Sequence, residues 1–191
     1  MRIIGGKYKG RKLAALGKGD GQASLRPTTD RVRESLFNIL SNGGFGEVFE
    51  GGRALDLFAG TGALGIEAFS RGVHAVWMID SGRKASELIN KNLSLLGQPE
   101  GIVYKKFNAC RLPPFTKEPF NLVFLDPPYR QNLGSYALQS AVQNRWIAPE
   151  ALIVWEESRP MDAFMDFEVL DRRQFRDIFV TILRAPKALL Q

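Results

Sequence analysis

One cysteine and one histidine are all that this 191-residue chain holds. Cys110 alone excludes an internal disulfide, and with His74 it cannot supply the four ligands of a structural zinc site. No metal is therefore expected. Apolar runs are short as well. None approaches the roughly 18 residues of a membrane span. The opening Met1-Arg2-Ile3-Ile4-Gly5-Gly6-Lys7 has no apolar stretch long enough for a secretory signal. These absences predict a cytoplasmic protein with no membrane partner. Hydrophobic residues make up 45% and charged residues 24%, a globular balance that excludes a disordered or fibrous chain. The length suits one domain with a short extension, and a monomer is the default expectation.

Acidic residues are scarce at one end. Residues 1–33 carry nine basic side chains against Asp20 and Asp30, a local net of +7, whereas the whole chain is +6. The excess thus lies in the first sixth of the chain, and the remainder is near neutral. A dense local positive field selects a polyanion. The segment lacks the continuous apolar helical face that would hold it on a membrane, so nucleic acid is the expected partner. The candidate contacts are Arg2, Lys7, Lys9, Arg11, Lys12, Arg26 and Arg31.

Ile3-Ile4-Gly5-Gly6 and Arg11-Lys12-Leu13 flank Lys7-Tyr8-Lys9-Gly10, which predicts a small hairpin. Residues 17–24 read as a mobile loop. Residues 1–25 thus form a basic hairpin and loop ahead of a domain spanning 26–191. Pro27-Thr28-Thr29-Asp30 opens a helix with Val32, Leu36, Ile39 and Leu40 on one face, ended by Asn42-Gly43-Gly44. From Arg53 onward strands and helices alternate. Strands are expected at 54–58, 75–79, 102–104, 122–125 and 151–155. Helices are expected up to about Arg71, over 83–96 with Leu88, Ile89 and Leu95 inward, and near 134–145. Two last strands, about 166–172 and 177–184, are close enough to pair antiparallel. Such alternation predicts an α/β fold, a parallel sheet with helices on both faces.

Asp56-Leu57-Phe58-Ala59-Gly60-Thr61-Gly62-Ala63-Leu64-Gly65 holds G-x-G-x-x-G between a strand and a helix, and Asp80 follows 20 residues after Gly60. That is the dinucleotide-binding fingerprint in its structural context. Asp56 decides the ligand. A carboxylate at the end of the first strand would repel a pyrophosphate and would suit an ammonium group, such as that of S-adenosylmethionine. The glycines still permit close backbone approach. Asp80 can accept from both ribose hydroxyls, and Asn108, just after the third strand, can meet the adenine edge.

Asp126-Pro127-Pro128-Tyr129 follows the fourth strand. Two prolines fix the backbone and remove two N–H donors, so the turn presents acceptors beside an aromatic ring. An exocyclic amine on a nucleobase needs this, because its lone pair is delocalised into the ring. The Asp126 carboxylate and the Pro127 carbonyl can hold both amine hydrogens, and Tyr129 can stack on the base, worth about 1–3 kcal/mol.

Asp56-Leu57-Phe58-Ala59-Gly60-Thr61-Gly62 with Asp126-Pro127-Pro128-Tyr129 resembles a class I S-adenosylmethionine-dependent amino-methyltransferase. Arg2-Ile3-Ile4-Gly5-Gly6 and Arg26-Pro27-Thr28-Thr29-Asp30-Arg31-Val32-Arg33-Glu34-Ser35-Leu36-Phe37-Asn38 resemble the RsmD family, which methylates guanine N2 in bacterial small-subunit ribosomal RNA. The resemblance implies a Rossmann-like, seven-stranded, mostly parallel sheet with an antiparallel last strand and an N-terminal RNA-binding hairpin. It also implies 16S rRNA, or a partly assembled small subunit, as the partner. The cofactor-binding residues implied are Asp56, Phe58, Ala59, Gly60, Thr61, Gly62, Asp80, Ser81, Asn108 and Ala109, with Asp126, Pro127, Pro128 and Tyr129 catalytic. One departure stands out: where the family often shows Glu-x-Asp-Arg, this chain has Asp80-Ser81-Gly82-Arg83. Three rival readings share parts of this pattern. A DNA adenine-N6 methyltransferase can use the same tetrapeptide, although the chain is short for an added target-recognition domain. A nicotinamide-dependent oxidoreductase would leave Asp56, the prolines and the basic arm unexplained. A non-catalytic RNA-binding factor would not need the intact tetrapeptide. Among other residues, Trp77 and Trp155 read as core, His74 as structural, and Cys110 as a small core or turn residue.

Overall fold

The computed structural model describes residues 1–15, 30–128, 132–162 and 164–189. The loop expected at 17–24, Arg26 and Tyr129 lie outside these residues. Helices α1 (Asp30–Asn42), α2 (Ala63–Ser70), α3 (Arg83–Leu95) and α4 (Leu133–Gln143) alternate with strands β1 (Arg53–Leu57), β2 (Ala75–Ile79), β3 (Ile102–Lys105), β4 (Phe120–Leu125) and β5 (Ile147–Glu157). Strands β6 (Glu168–Phe175) and β7 (Ile178–Arg184) follow. All seven join one sheet in the order β3-β2-β1-β4-β5-β7-β6. Pairing is parallel from β3 through β5, and β7 runs antiparallel to both neighbours. This is the expected Rossmann-like sheet.

The apolar runs of the strands serve two cores at once, as parallel strands covered on both faces must. Ala54, Val76, Met78, Leu122, Phe124, Leu152 and Val154 face one layer, packed against α1, α2 and α3. Leu55, Leu57, Ile79, Val123, Leu125, Ile153 and Trp155 face the other, packed against α4. On that second face Trp77, Phe115, Phe120 and Trp146 form a ring cluster with centroids 4.3–6.2 Å apart. Trp146 is buried there, and Trp77 is only half-buried.

Helix phase departs from expectation in two places. The buried stripe of α1 is Arg33, Leu36, Phe37 and Leu40, with Val32 and Ile39 only half-buried. In α3 the inward stripe is Ala85, Leu88, Ile89, Asn92 and Leu93. Leu95 is 52% exposed, because it lies beyond Leu88 on the margin of that stripe and in the last turn. In both helices a polar residue takes a central position that an apolar pattern cannot show.

Those polar residues hold the basic arm. Residues 1–13 form a short antiparallel loop in which Arg2 bridges Lys12, the Ile3 N–H donates to Arg11 O at 3.0 Å and the Gly10 N–H donates to Ile3 O at 2.9 Å. Ile3 and Leu13 are buried in the first core. Glu67, fully buried in α2, accepts from the Ile4 and Gly5 N–H groups at 2.8 Å each and from Arg71 Nε at 2.8 Å. Arg33 stands 3.8 Å from Glu67 and donates to Asp30 and to the Arg2 carbonyl. Ser70 accepts from the Tyr8 N–H, and Asn92 bonds Ala14 through both its N–H and its carbonyl. Removing one member of a buried charge network leaves the others desolvated and unpaired, at a cost of about 3–5 kcal/mol. Glu67→Ala should therefore lower unfolding free energy in denaturant by about that amount, and amide exchange at Ile4 and Gly5 should accelerate well beyond that in the strands. Unchanged protection of those two amides would contradict this attachment.

Candidate active site at the carboxyl edge of the sheet

Strand order reverses between β1 and β4: β1 leads outward to β2 on one side, and β4 leads to β5 on the other. Ligands of open α/β sheets bind at such a switch point, beyond the carboxyl ends of the strands. The predicted site residues converge there. Asp56 is the penultimate residue of β1, Asp80 follows β2, Asn108 follows β3 and Asp126 follows β4.

The glycine loop is fixed by its neighbours. Phe58 leaves β1 at φ 60, a conformation uncommon for a bulky residue and a sign of strain held by its surroundings. The Ala59 N–H then donates to Ile79 O at 3.1 Å. Gly62 caps α2 at φ 77, which glycine adopts without steric cost. A side chain at Gly65 would come 2.9 Å from Val76 and 3.1 Å from the Asp56 carboxylate, so this third glycine lets α2 pack closely on the sheet.

Asp80 is half-buried. Its Oδ2 accepts from the Gly60 N–H at 2.9 Å and its Oδ1 from the Gly82 N–H at 2.7 Å. Each carboxylate oxygen has a second acceptor site, so two vicinal hydroxyls can still be held. Gly82, which replaces the second acid of the usual family pattern, caps α3 and bonds Asp80 by its backbone. Ser81 is exposed beside it. Asn108 is exposed and begins a short turn over Ala109–Arg111, its Oδ1 accepting from the Cys110 N–H at 2.9 Å, with Ala109 buried below.

Asp56 is only 1% exposed. Its side chain faces the α1–α3 layer, under the loop, and accepts from the Gly65 N–H at 2.9 Å. Burial pushes its carboxyl up to about 7, the Gly65 hydrogen bond opposing and nearby Asp80 adding to the rise. Asp126 is likewise pushed well above the carboxylate range, chiefly by burial and then by Glu156, Asp56 and Glu157. Glu156 and Glu157 end β5 and are buried, Glu157 accepting from the Ser158 N–H at 2.8 Å. Sequence reading overlooked them, although two acids closing an apolar strand at the carboxyl edge were a legible signal. Pro127 is buried and Pro128 half-buried. The crevice thus gathers carboxyl groups whose ionisation a cation would favour.

The arm reaches this crevice at Thr61, whose hydroxyl donates to Met1 Sδ at 3.8 Å, and through a buried side chain. Asn92, fully buried in α3, donates to the Thr61 carbonyl of the glycine loop at 2.8 Å while bonding Ala14 of the arm. On the arm, Arg2, Lys7, Lys9, Arg11 and Lys12 are all exposed. Lys7 and Arg11 lie 5.3 and 5.2 Å over the Tyr8 ring. Arg2 and Lys12 are directly opposed, an arrangement that like charges disfavour and a polyanion would favour. Arg31 is exposed on α1, while Cys110 is half-buried with its thiol pushed up by burial and directed at Leu133 O, 3.5 Å away. Cys110 is therefore a poor nucleophile.

A carboxyl raised in the fold favours folding fully at a pH below its unfolded value, and that contribution is lost as pH rises through the folded value. For Asp56 the window runs from about pH 4 to about 7. Asp56→Asn keeps an acceptor for Gly65 but cannot ionise. Its melting temperature should gain on the wild type progressively as pH rises from about 4 to about 7 and level off above. Parallel melting curves for the two proteins across that range would contradict the assignment.

The family model described as Conserved hypothetical protein 95 matches residues 1–184. The chain is 41% identical over 156 residues to ribosomal RNA small subunit methyltransferase D of Escherichia coli K12, covering 82% of this chain and 74% of that one. It is 36% identical over 163 residues to the protein of the same name from Haemophilus influenzae, covering 83% and 79%. The solved structure of yhhF from Escherichia coli superposes with a TM-score of 0.80 at 33% identity, covering 98% and 99%. With the glycine loop, Asp80 and Asp126 meeting at the switch point, the chain belongs to the family of ribosomal RNA small subunit methyltransferase D.

Proposed function

We propose that the chain transfers a methyl group from S-adenosylmethionine to the exocyclic N2 of a guanine in small-subunit (16S) ribosomal RNA, acting as a cytoplasmic monomer on the rRNA or a partly assembled subunit. The observation that carries this reading is the convergence of Asp126-Pro127-Pro128 with the glycine loop and Asp80 in one crevice, on a domain that also holds a docked basic arm. The names of the relatives support the RNA substrate, and the guanine follows from the family resemblance.

The residues fit the cofactor. Asp80 and the Gly60–Gly62 turn would hold its ribose and methionine parts, and Asn108 with Ala109 its adenine edge. Asp56, buried beneath the loop, acts through its field on the ammonium and sulfonium charges. When bound, the cofactor supplies an electrophilic methyl group on sulfur. The rest is orientation. The target base leaves its stack to enter the crevice, and the Asp126 carboxylate with the Pro127 carbonyl accepts the two N2 hydrogens. The N2 lone pair held at Asp126 and Pro127 would take the methyl carbon that the bound cofactor would supply, its sulfur keeping the electron pair of the carbon–sulfur bond. The surplus N2 proton passes to water, or to Asp126 where a bound cation would hold that carboxyl ionised. No strong base is required, because an alkylated purine ammonium is acidic. Holding reactants in line and aiming acceptors at developing charge supplies the rate.

Asp126→Ala should lower methyl transfer to rRNA by about 10²- to 10³-fold while leaving S-adenosylmethionine affinity nearly unchanged by calorimetry. Equal loss of both would remove Asp126 from the catalytic role.

A further inference from the structure

The charge that sequence counting assigned wholly to the arm has a second focus. Residues 101–117 hold Lys105, Lys106, Arg111 and Lys117 and no acid, and residues 127–149 hold no acid either. The fold sets the turn over Ala109–Arg111 beside α4 on the sheet face opposite the arm. Between them runs a groove of about 590 Å³, a size within the roughly 300–1,000 Å³ of ligand pockets. One end is at Asn108 and Leu133, beside the crevice. The other is at Asn144, whose carbonyl accepts from the Phe115 N–H near the start of β4. The 11 residues of α4 give it a length of about 16 Å.

Its lining is unlike an interior surface. Tyr136, Gln139 and Gln143 follow one another at helical spacing along one face of α4 and are all exposed, Tyr136 by 58%. Arg111 is exposed on the opposite wall. An aromatic face, two amides and a guanidinium in an acid-free groove are the groups that hold an unstacked base and its phosphate.

We propose that this groove is a second RNA subsite, which takes an unstacked nucleotide flanking the target. The proposal rests on the reaction assigned above. The RNA would then be gripped by the arm from one face of the sheet and by α4 from the other, with the target base entering the carboxyl edge between them.

The test uses the full chain with unmethylated 16S rRNA. Tyr136 and Arg111 are exposed. Tyr136→Ala should raise KM for RNA about tenfold, with kcat and S-adenosylmethionine affinity unchanged, and Tyr136→Phe should restore it, because the ring stacks and the hydroxyl is dispensable. Arg111→Gln should weaken RNA binding and reduce the slope of log affinity against log salt by about 0.7 to 0.9. Wild-type KM in Tyr136→Ala together with wild-type RNA affinity in Arg111→Gln would overturn the subsite. So would a fall in cofactor affinity, which would give the groove to the cofactor, or an effect confined to assembled subunits, which would give it to a ribosomal protein. If the wild type methylates no RNA, the assigned reaction fails, and direct RNA titration of the same variants still decides the groove.

Discussion

A buried carboxylate, Glu67, is the constraint on which the rest of the molecule depends. It sits in α2, the helix that the glycine loop opens, and two backbone N–H groups of the arm converge on it. Arg71 and Arg33 balance its charge from either side. The helix that the glycine loop opens is thus also the anchor of the basic arm. Asn92 repeats the arrangement from α3, bonding Thr61 of the loop and Ala14 of the arm with one side chain. Both links are polar and fully buried, so they specify one docking of the arm where an apolar contact would tolerate several.

The second governing feature is the gathering of acids at the carboxyl edge. Asp56, Asp126, Glu156 and Glu157 are brought together by the ends of β1, β4 and β5, and Asp56 and Asp126 bind protons more tightly in consequence. Such a crevice disfavours a pyrophosphate and favours a ligand carrying positive charge. That is the physical reason for preferring S-adenosylmethionine over a nicotinamide dinucleotide at a loop whose glycine spacing admits either. Exposed basic residues stand on the arm, and Arg111 stands exposed at the α4 groove, so a polyanion can be held beside the crevice.

Much of this was legible in the sequence because it depends on local pattern. The apolar strands, the glycine turn and the antiparallel last pair were each announced by periodicity or turn chemistry. The second strand at Ala75–Ile79 matches expectation end to end. What escaped was set by partners distant in sequence. Arg33, Glu67 and Asn92 look like surface residues until the arm supplies their hydrogen bonds. Leu95 looks inward until the exact phase of α3 is known. Asp56 was expected to meet a ligand directly. Its place on the face of β1 toward α2 puts it under the loop instead, bonded to Gly65. Charge counting over residues 1–33 against the remainder found the arm and averaged away the acid-free stretches around α4, because acids at other surfaces cancel them in the sum but not in space.

The measurement that tests the central claim most directly is methyl transfer from labelled S-adenosylmethionine to naked small-subunit rRNA, to small subunits lacking the modification, and to duplex DNA, with the product nucleoside identified by mass. The account predicts N2-methylguanosine on an RNA substrate and no product on DNA. N6-methyladenine on DNA would contradict it, and so would cofactor binding without transfer to any of the three.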